Sequence, residues 1–432
     1  MQLIFLHFSS LIMGELAVFY WIIYITAGKT NIYLIIIRRL KKNMKKVLIS
    51  AFMLLSVALW AQERIRIQKS AVAKNPTLYF SGISGNRALS ASFAKNLKNC
   101  GWFDVVSNPK ANYVAGGSLA GTQLKVNFRR GSGAPVTGFR VPVNSKDVDV
   151  TTRQAVDYLL RKVFGVRQLC TAKIAFCAEV KPGYKEIYTA NYDGSGIRQI
   201  TSNKSLSVEP DWEPGQSRLV YTMYSKMFTD IVEYDVSSAR SRRLIQFPGL
   251  NAGAAVSPDG RYFAVILSKD GTVDLYVKSI NTKFMKRLTK GEASESSPCW
   301  SPSGAKLCFV SDRSRSPKLY VIPVGGGNMT KLPTLGTESV SPDWSSDNKI
   351  VYSAKMGRNY AIALLDITGK EPSRTVISAA GDWESPSWAP DNRHIVASRK
   401  YGGRSDIYVI DTWTGKAKRI LAGKIPFSNP SW

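Results

Sequence analysis

Pro298-Cys299-Trp300-Ser301-Pro302 is one of six copies of a short phrase that decides the fold of this chain. The other copies contain Pro210-Asp211-Trp212-Glu213-Pro214, Ala255-Val256-Ser257-Pro258-Asp259-Gly260, Pro342-Asp343-Trp344-Ser345, Pro386-Ser387-Trp388-Ala389-Pro390 and Pro430-Ser431-Trp432. The tryptophan slot recurs every 44 residues, and a second series of mainly tyrosines at 188, 232, 276, 320, 364 and 408 keeps the same step. A period in the forties with four strand-like runs per unit is the signature of propeller blades. The sequence therefore predicts a six-bladed β-propeller.

The register of the repeats predicts how the ring closes. Residues 173–201 supply three strand-like runs without a phrase before them, and the last phrase at 429–432 has no strands after it. The two segments are expected to complete one blade, which would remove the exposed sheet edges. The recurring tryptophans, which are Trp212, Trp300, Trp344, Trp388 and Trp432, are interpreted as packing between blades, because a buried indole covers a large apolar area.

The fold class predicted for the whole chain is α+β, with a small two-layer α/β domain in front of the propeller. The domain is expected at 76–165, a linker at 166–172 and the propeller at 173–432. Helices are predicted near 89–100 and 151–163, where apolar residues recur at helical spacing.

The N-terminal residues predict export. Residues 44–61 combine Lys45 and Lys46, an apolar run and Ala61, which is the order of parts in a secretory signal peptide. Residues 1–43 are interpreted as an over-extended translation start or a membrane segment; the early start is favoured, because Glu15 interrupts the apolar run. Residues 62–75 would then begin the mature chain, and the expected location is the periplasm.

The charge of the chain predicts an anionic partner. The net charge is +28 at pH 7, and export makes nucleic acid an unsuitable partner, so an acidic protein or an anionic envelope surface is favoured. Contact with membranes is expected to be peripheral at most. Every loop between the second and third strands of a repeat carries a cation, including Lys226, Lys269, Arg313 and Lys355. These loops should form a basic ring around one mouth of the propeller.

The chemistry available to the chain argues against an enzyme. His394 is the lone histidine after the leader, and neither a nucleophile elbow nor a phosphate-binding glycine loop occurs. The recurrent aspartates lie in turn-forming phrases, where capping explains them. No cofactor and no metal site are predicted. Cys299 and Cys308 flank one turn at equal distances, so they should face each other, either as a disulfide or as buried thiols.

Several segments resemble those of the TolB family, the periplasmic propellers of the bacterial Tol-Pal system. They are Lys173-Ile174-Ala175-Phe176, Arg198-Gln199-Ile200-Thr201, Phe247-Pro248-Gly249-Leu250-Asn251, Ser257-Pro258-Asp259-Gly260-Arg261, Leu267-Ser268-Lys269-Asp270-Gly271, Ser311-Asp312-Arg313 and Arg64-Ile65-Arg66-Ile67. The resemblance covers nearly the whole chain after the leader. It implies a non-enzymatic adaptor that serves envelope integrity and cell division.

The resemblance also implies two partners. The peptidoglycan-associated lipoprotein Pal would bind at the propeller mouth, and TolA would bind the N-terminal segment; the residues expected at the mouth are Leu250, Asn251, Ala252, Gly253, Ser296 and Ser297, and those in the segment are Glu63, Arg64, Ile65, Arg66 and Ile67. Leu250, Ser297 and Arg66 depart from the family pattern. A channel cation is also implied, with no ligands assigned. Two alternatives stay open: an envelope scaffold for anionic glycan or lipid, and a sugar-processing propeller enzyme.

Overall fold

The computed structural model describes residues 74–432 in full and residues 10–13, 16–27 and 30–37 as backbone. The N-terminal residues form an antiparallel sheet of β1 (Ser10–Met13), β2 (Leu16–Ala27) and β3 (Thr30–Ile37). The predicted signal peptide at 44–61 and residues 62–73 of the N-terminal segment lie outside the described residues. Within the described part of the chain, no helix has the length and apolar character needed to cross a membrane.

Residues 77–164 form a five-stranded sheet with two helices. The elements are β4 (Thr77–Ser84), α1 (Arg87–Asn99), β5 (Asp104–Val106), β6 (Tyr113–Ala120), β7 (Gln123–Arg130), β8 (Pro135–Pro142) and α2 (Val148–Phe164). The sheet order is β5-β4-β6-β7-β8. Asn86 caps α1 by accepting the N–H of Leu89 at 2.9 Å, and α1 buries Leu89, Phe93 and Leu97 as its periodicity predicts. The sequence reading missed β8, whose terminal prolines restrict it to the sheet edge it occupies.

Six four-stranded sheets follow and confirm the six-bladed propeller. Blade 1 contains β12 (Ser207–Trp212), β13 (Arg218–Tyr224), β14 (Thr229–Asp235) and β15 (Arg240–Ile245). Blade 2 contains β16 (Asn251–Val256), β17 (Tyr262–Leu267), β18 (Asp274–Ser279) and β19 (Met285–Arg287). Blade 3 contains β20 (Glu295–Trp300), β21 (Lys306–Ser311), β22 (Lys318–Pro323) and β23 (Thr330–Lys331). Blade 4 contains β24 (Ser339–Trp344), β25 (Lys349–Met356), β26 (Asn359–Asp366) and β27 (Arg374–Ile377). Blade 5 contains β28 (Asp382–Trp388), β29 (His394–Tyr401), β30 (Arg404–Asp411) and β31 (Ala417–Leu421).

Blade 6 closes the ring in the predicted way. It joins β32 (Phe427–Ser431) to β9 (Lys173–Lys181), β10 (Tyr184–Asn191) and β11 (Arg198–Gln199), in the order β11-β10-β9-β32. Ser431 pairs with Ala175 and Phe427 with Ala178. The last strand of the sequence therefore completes the sheet that the first three strands of the propeller begin.

The recurring tryptophans are buried between blades. Trp212, Trp300, Trp344, Trp388 and Trp432 are each at most 9% exposed, and Val256 takes the same slot in blade 2. The indole N–H of Trp300 donates to the carbonyl of Ala255, and that of Trp388 donates to the carbonyl of Asp343. This burial supports a packing role for the series.

Residues 166–172 form a partly buried connection between α2 and the propeller. The carboxylate of Asp157, on α2, accepts the backbone N–H groups of Leu169, Cys170 and Thr171 at 2.7–2.9 Å. Val166, Leu169 and Cys170 pack into a core that extends into blade 6. The short connection thus holds the α/β layers against the propeller.

His394 lies in a second contact between the α/β layers and the propeller, which we call a joint. Asp391 is buried, and its Oδ2 accepts the indole N–H of Trp102 at 2.9 Å and lies 2.6 Å from Nδ1 of His394. On its far side His394 meets Gly101, where an added Cβ would lie 2.5 Å from Nε2. Gly101 has φ of +71° just after the end of α1, a conformation that favours glycine. His394 is therefore part of the contact between the α/β layers and blade 5.

Arg393 strengthens the same joint. Its guanidinium lies 5.0 Å from the ring centre of Trp102 and 4.4 Å from that of Trp413, and it pairs with Asp411 at 2.7 Å. It also donates to the side-chain oxygen of Asn75 at 2.8 Å. This buried charge is thus paired and hydrogen-bonded across the joint.

Candidate functional site: the mouth of the propeller

Strand direction alternates within each blade, so two sets of loops share one face of the propeller. These are the hairpins between second and third strands and the connections from each fourth strand to the next blade. We call this face the mouth face and the opposite face the base face. Phe247–Leu250 connects blade 1 to blade 2 on the mouth face, and Lys269–Val273 joins β17 to β18 there.

The six innermost strands share a backbone feature at the channel wall. Each strand has a register shift, and within it one residue has φ between 46° and 61°. The six residues are Glu209, Gly253, Ser297, Ser341, Ser385 and Asn429. Five of them are not glycine, although left-handed backbone is uncommon for other residues. The ring thus turns the backbone toward the channel at six equivalent places.

Next to these bulges, side chains tie neighbouring blades together. Asp211 Oδ2 accepts the N–H of Val256 at 2.9 Å, and Asp343 Oδ2 accepts that of Trp388 at 2.6 Å. The hydroxyl of Ser387 accepts the N–H of Trp432 at 3.1 Å. Each bond joins the residue before the tryptophan slot of one repeat to the slot residue of the next repeat, so the 44-residue period also sets the contacts between blades.

The channel contains a cavity of about 320 Å³ with carboxylates in opposite walls. Burial raises the pKa of Asp211 to about 7. The hydrogen bond from the N–H of Val256 opposes this rise, and the negative charge of Asp343 adds to it. Burial likewise raises the pKa of Asp343. The described residues hold no group of three or more histidine, cysteine or acidic side chains arranged for a metal ion. The carboxylates that line the cavity already accept backbone N–H groups of neighbouring blades, Asp211 and Asp343 as described and Glu209 from Gly253, so they do not fit the channel cation implied by the resemblance.

Cys299 and Cys308 face each other beside this cavity. They are register partners on β20 and β21, as their spacing predicts. Both are buried and free in this structure, and burial raises the pKa of Cys299. The sequence thus identified their pairing across one hairpin.

The loop predicted to contact a partner is only partly accessible. Leu250 and Ala252 are half-buried at the mouth, and Gly253 donates its N–H to Glu209 Oε2 at 3.0 Å. Asn251 is completely buried, and its amide donates to the carbonyls of Thr229 and Phe247 at 2.7 Å. The Asn251 side chain therefore fixes the loop from within, and its predicted contact with a partner stays a prediction. Ser296 is exposed and Ser297 half-buried one blade further on.

The predicted basic ring is partly neutralised on blades 2 to 4. Lys269 pairs with Asp270 at 2.7 Å, Arg313 pairs with Glu295, and Lys355 pairs with Glu338 at 2.7 Å. Counting cations in the loops missed these carboxylates, because the partner of Arg313 or Lys355 comes from a different part of the same blade. Ion pairs thus neutralise one cation in each of these three hairpins, whereas Arg315 and Arg358 have no carboxylate of residues 74–432 within ion-pair distance.

The ion pairs also shift the pKa values of the carboxylates that take part in them. Hydrogen bonds from Lys269 and Tyr276 hold the pKa of Asp270 below its usual range, and bonds from Lys355 and Tyr360 do the same for Glu338. Both carboxylates therefore remain ionised near neutral pH. Lys226, in contrast, is exposed, and no carboxylate in the described part of the chain lies within ion-pair distance of it. Glu63, Arg64, Ile65, Arg66 and Ile67 lie outside the described residues.

Comparison with known proteins identifies the family. A model of the TolB β-propeller domain matches residues 160–432, which is more than half of the chain. The chain belongs to the TolB β-propeller family. The TolB homologue of Chlorobium luteolum is 26% identical over 260 residues, which are 58% of this chain and 55% of that protein. The Tol-Pal system protein TolB of Helicobacter pylori is 25% identical over 235 residues, which are 52% of this chain and 56% of that protein.

Solved structures support the same fold. The crystal structure of TolB from Acinetobacter baumannii superposes with a TM-score of 0.75 and 20% identity, covering 83% of this chain and 97% of that one. That likeness extends well beyond the length of a propeller alone. In sequence, however, the chain spans about half the length of the curated TolB relatives it matches.

Proposed function

We propose that this protein is a non-enzymatic periplasmic adaptor of the Tol-Pal envelope system. Membership of the TolB family supports the proposal, as does the Helicobacter pylori relative described as a Tol-Pal system protein. The main observation in favour of an adaptor is that the mouth face is open, whereas the buried polar groups of the ring hold parts of the protein together. His394 and Asp391 join the α/β layers to blade 5, and Asp211 and Asp343 join successive blades.

The mouth face is the proposed binding site for the lipoprotein Pal. Leu250, Ala252, Ser296 and Ser297 retain accessible surface beside the channel and belong to neighbouring blades. A partner that spans these blades would cover the cavity entrance. The proposed contact uses mainly apolar and uncharged polar groups, because the charged side chains of Lys269, Arg313 and Lys355 already have carboxylate partners.

The proposal is tested by binding of purified Pal to a Leu250→Glu, Ser296→Arg double variant. Introducing charge at two accessible mouth positions should weaken binding at least tenfold, which corresponds to about 1.4 kcal/mol. Lys283→Glu is the matched control, because Lys283 is exposed on the base face between β18 and β19. Equal loss in the control, or unchanged binding in the double variant, would contradict the mouth as the docking face. Lys269 and Arg313 are poor test positions, because a charge reversal there would also break an internal ion pair.

The N-terminal segment Gln62–Gln68 is the proposed binding site for TolA. Its removal should abolish recovery of TolA while leaving Pal binding intact, because the mouth residues belong to blades 2 and 3. A pull-down with each purified partner separates the two interactions. Retention of TolA by the shortened chain would refute this part of the proposal.

A further inference from the structure

Three neighbouring hairpins on the mouth face differ from the rest of the ring. They join β29 to β30 in blade 5 (Tyr401–Arg404), β9 to β10 in blade 6 (Lys181–Tyr184), and β13 to β14 in blade 1 (Tyr224–Thr229). We call these hairpins, with the ends of the strands they join, the rim arc.

Backbone and side-chain hydrogen bonds make the rim arc continuous. Ser405 donates to the carbonyl of Phe427 at 2.6 Å, and the N–H of Glu179 donates to the carbonyl of Pro426 at 3.0 Å, which links blade 5 to blade 6. The N–H of Lys185 donates to Ser205, which links blade 6 to blade 1. The three hairpins therefore form one surface along the edge of the mouth.

Exposed apolar side chains concentrate in the rim arc. Met227 is 80% exposed, and Tyr401 is 58% exposed. Tyr224, Val180 and Phe228 are also exposed, so that the arc holds five of the ten large exposed hydrophobic residues in the described part of the chain. Single exposed apolar residues need no explanation, but a cluster on adjacent loops indicates an interaction surface.

The cations of the rim arc lack the acidic partners found elsewhere on the mouth. Lys181, Lys226, Lys400 and Arg404 are exposed, Lys185 is half-buried, and none of the five has a carboxylate of residues 74–432 within ion-pair distance. Lys181 instead lies 3.8 Å from the ring centre of Tyr184. Burial raises the pKa of Glu384, and the charges of Lys400 and Lys185 oppose that rise without forming an ion pair. Arg315 and Arg358, in the hairpins of blades 3 and 4, are also exposed and outside ion-pair distance of any carboxylate of residues 74–432. What distinguishes the rim arc is that its unpaired cations lie among exposed apolar side chains.

We propose that the rim arc docks onto an anionic lipid bilayer, with Met227, Phe228 and Tyr401 entering the headgroup region and the unpaired cations contacting lipid phosphates. A bilayer surface offers negative charge and an apolar layer together, and the arc presents cations and apolar tips in the same way. An anionic glycan would satisfy the cations but leave Met227 and Phe228 exposed to water. The inference goes beyond the proposed function and uses none of the residues tested for Pal.

The lipid test compares variants of the full chain on vesicles. Wild type is titrated onto vesicles of phosphatidylcholine, with and without phosphatidylglycerol, and binding is measured by cosedimentation at low and high salt. Each lysine near an anionic surface contributes about 1 kcal/mol, or about fivefold in affinity. The variant Lys181→Glu, Lys226→Glu, Lys400→Glu should therefore bind at least about 100-fold more weakly. The matched control is Lys283→Glu, Lys306→Glu, Lys370→Glu, which makes the same charge change at exposed positions of the base face and should bind within a few-fold of wild type.

A local probe shows which face meets the lipid. The five native cysteines are buried, so Met227→Cys labelled with an environment-sensitive fluorophore reports on the arc, and Phe284→Cys reports on the base face, where Phe284 is 51% exposed. The label at 227 should shift to the blue with anionic vesicles only, and the label at 284 should not shift.

Three results would overturn the proposal. They are equal binding to neutral and anionic vesicles, equal loss in the base-face control, and unchanged binding of a Met227→Ser, Phe228→Ser, Tyr401→Ser variant to anionic vesicles. The last result would reduce the arc to a charge-only surface, for which dextran sulfate should bind as well as lipid.

Discussion

Deleting Asn429–Trp432 should destabilise the propeller severely, because these residues complete blade 6. The deletion removes the pairing of Ser431 with Ala175 and the bond from Trp432 to Ser387. It also removes the Trp432 side chain, which is only 9% exposed. An indole buries on the order of 150–250 Å², which at about 25 cal/mol per Å² corresponds to about 4–6 kcal/mol as an upper bound. Since domains are stable by about 5–15 kcal/mol, the loss would be a large share of the total.

The assay is chemical and thermal unfolding of the purified chain, followed by tryptophan fluorescence and circular dichroism. Trp432→Phe is the matched control: Trp432 Nε1 has no hydrogen-bond partner in the described structure, so the phenylalanine loses only packing volume. It should cost about 1–2 kcal/mol, within the range of volume-reducing core substitutions. A midpoint for the deletion equal to that of wild type would show that β32 is dispensable and would refute closure as a source of stability.

Three further predictions concern the buried polar groups. Asp157→Asn should destabilise by about 2–4 kcal/mol, because an amide nitrogen would replace an oxygen that accepts backbone N–H groups. Urea unfolding beside an Asp104→Asn control, at an exposed carboxylate whose hydrogen bond is to the Asn75 side chain, measures this, and equal midpoints would contradict the role. Burial raises the folded pKa of Asp211 to about 7, above the usual unfolded value of about 3.9, so stability should fall as pH rises between about 4 and 7 and then level off. Asp211→Asn should remove that fall and be the more stable form at pH 8 by up to about 4 kcal/mol, since each pKa unit corresponds to about 1.4 kcal/mol, whereas a difference independent of pH would argue against the titration. Gly101→Ala should cost about 1–3 kcal/mol, because its Cβ would meet His394 in a left-handed backbone conformation; Gly121→Ala, which has similar φ and open space, isolates the steric part.

The fold could be predicted from the sequence because the residues that repeat have a specific structural role in a propeller blade. A slot at a constant step of 44 residues, filled by tryptophan in five blades and by Val256 in blade 2, assigns the inner strand of every blade, including the one shared by the two ends of the propeller. Two helices were predicted within a few residues for a similar reason, since their buried faces follow a regular spacing. The strand Pro135–Pro142 gave no such signal, because only Val141 in it is buried.

The candidate site could be predicted only in part, because its properties depend on contacts between distant residues. The sequence placed cations in the hairpins, but it could not show that Glu295 and Glu338 neutralise Arg313 and Lys355. Asn251 was selected for its position in a loop, whereas its burial follows from the carbonyl groups around it. The left-handed residues of the inner strands are one Glu, one Gly, three Ser and one Asn, and this mixture gives no signal for positive φ, which the backbone geometry reveals.

The shared blade has a consequence for the time course of folding. Ala175 and Ser431 must meet although roughly 250 residues separate them, and the entropy of closing such a loop is lost before the contact forms. Five blades are local in sequence and can assemble early, but the sixth sheet remains incomplete until β32 arrives. The ring is thus expected to close late and slowly, so that a folding intermediate with five formed blades and one open sheet should accumulate before the native state.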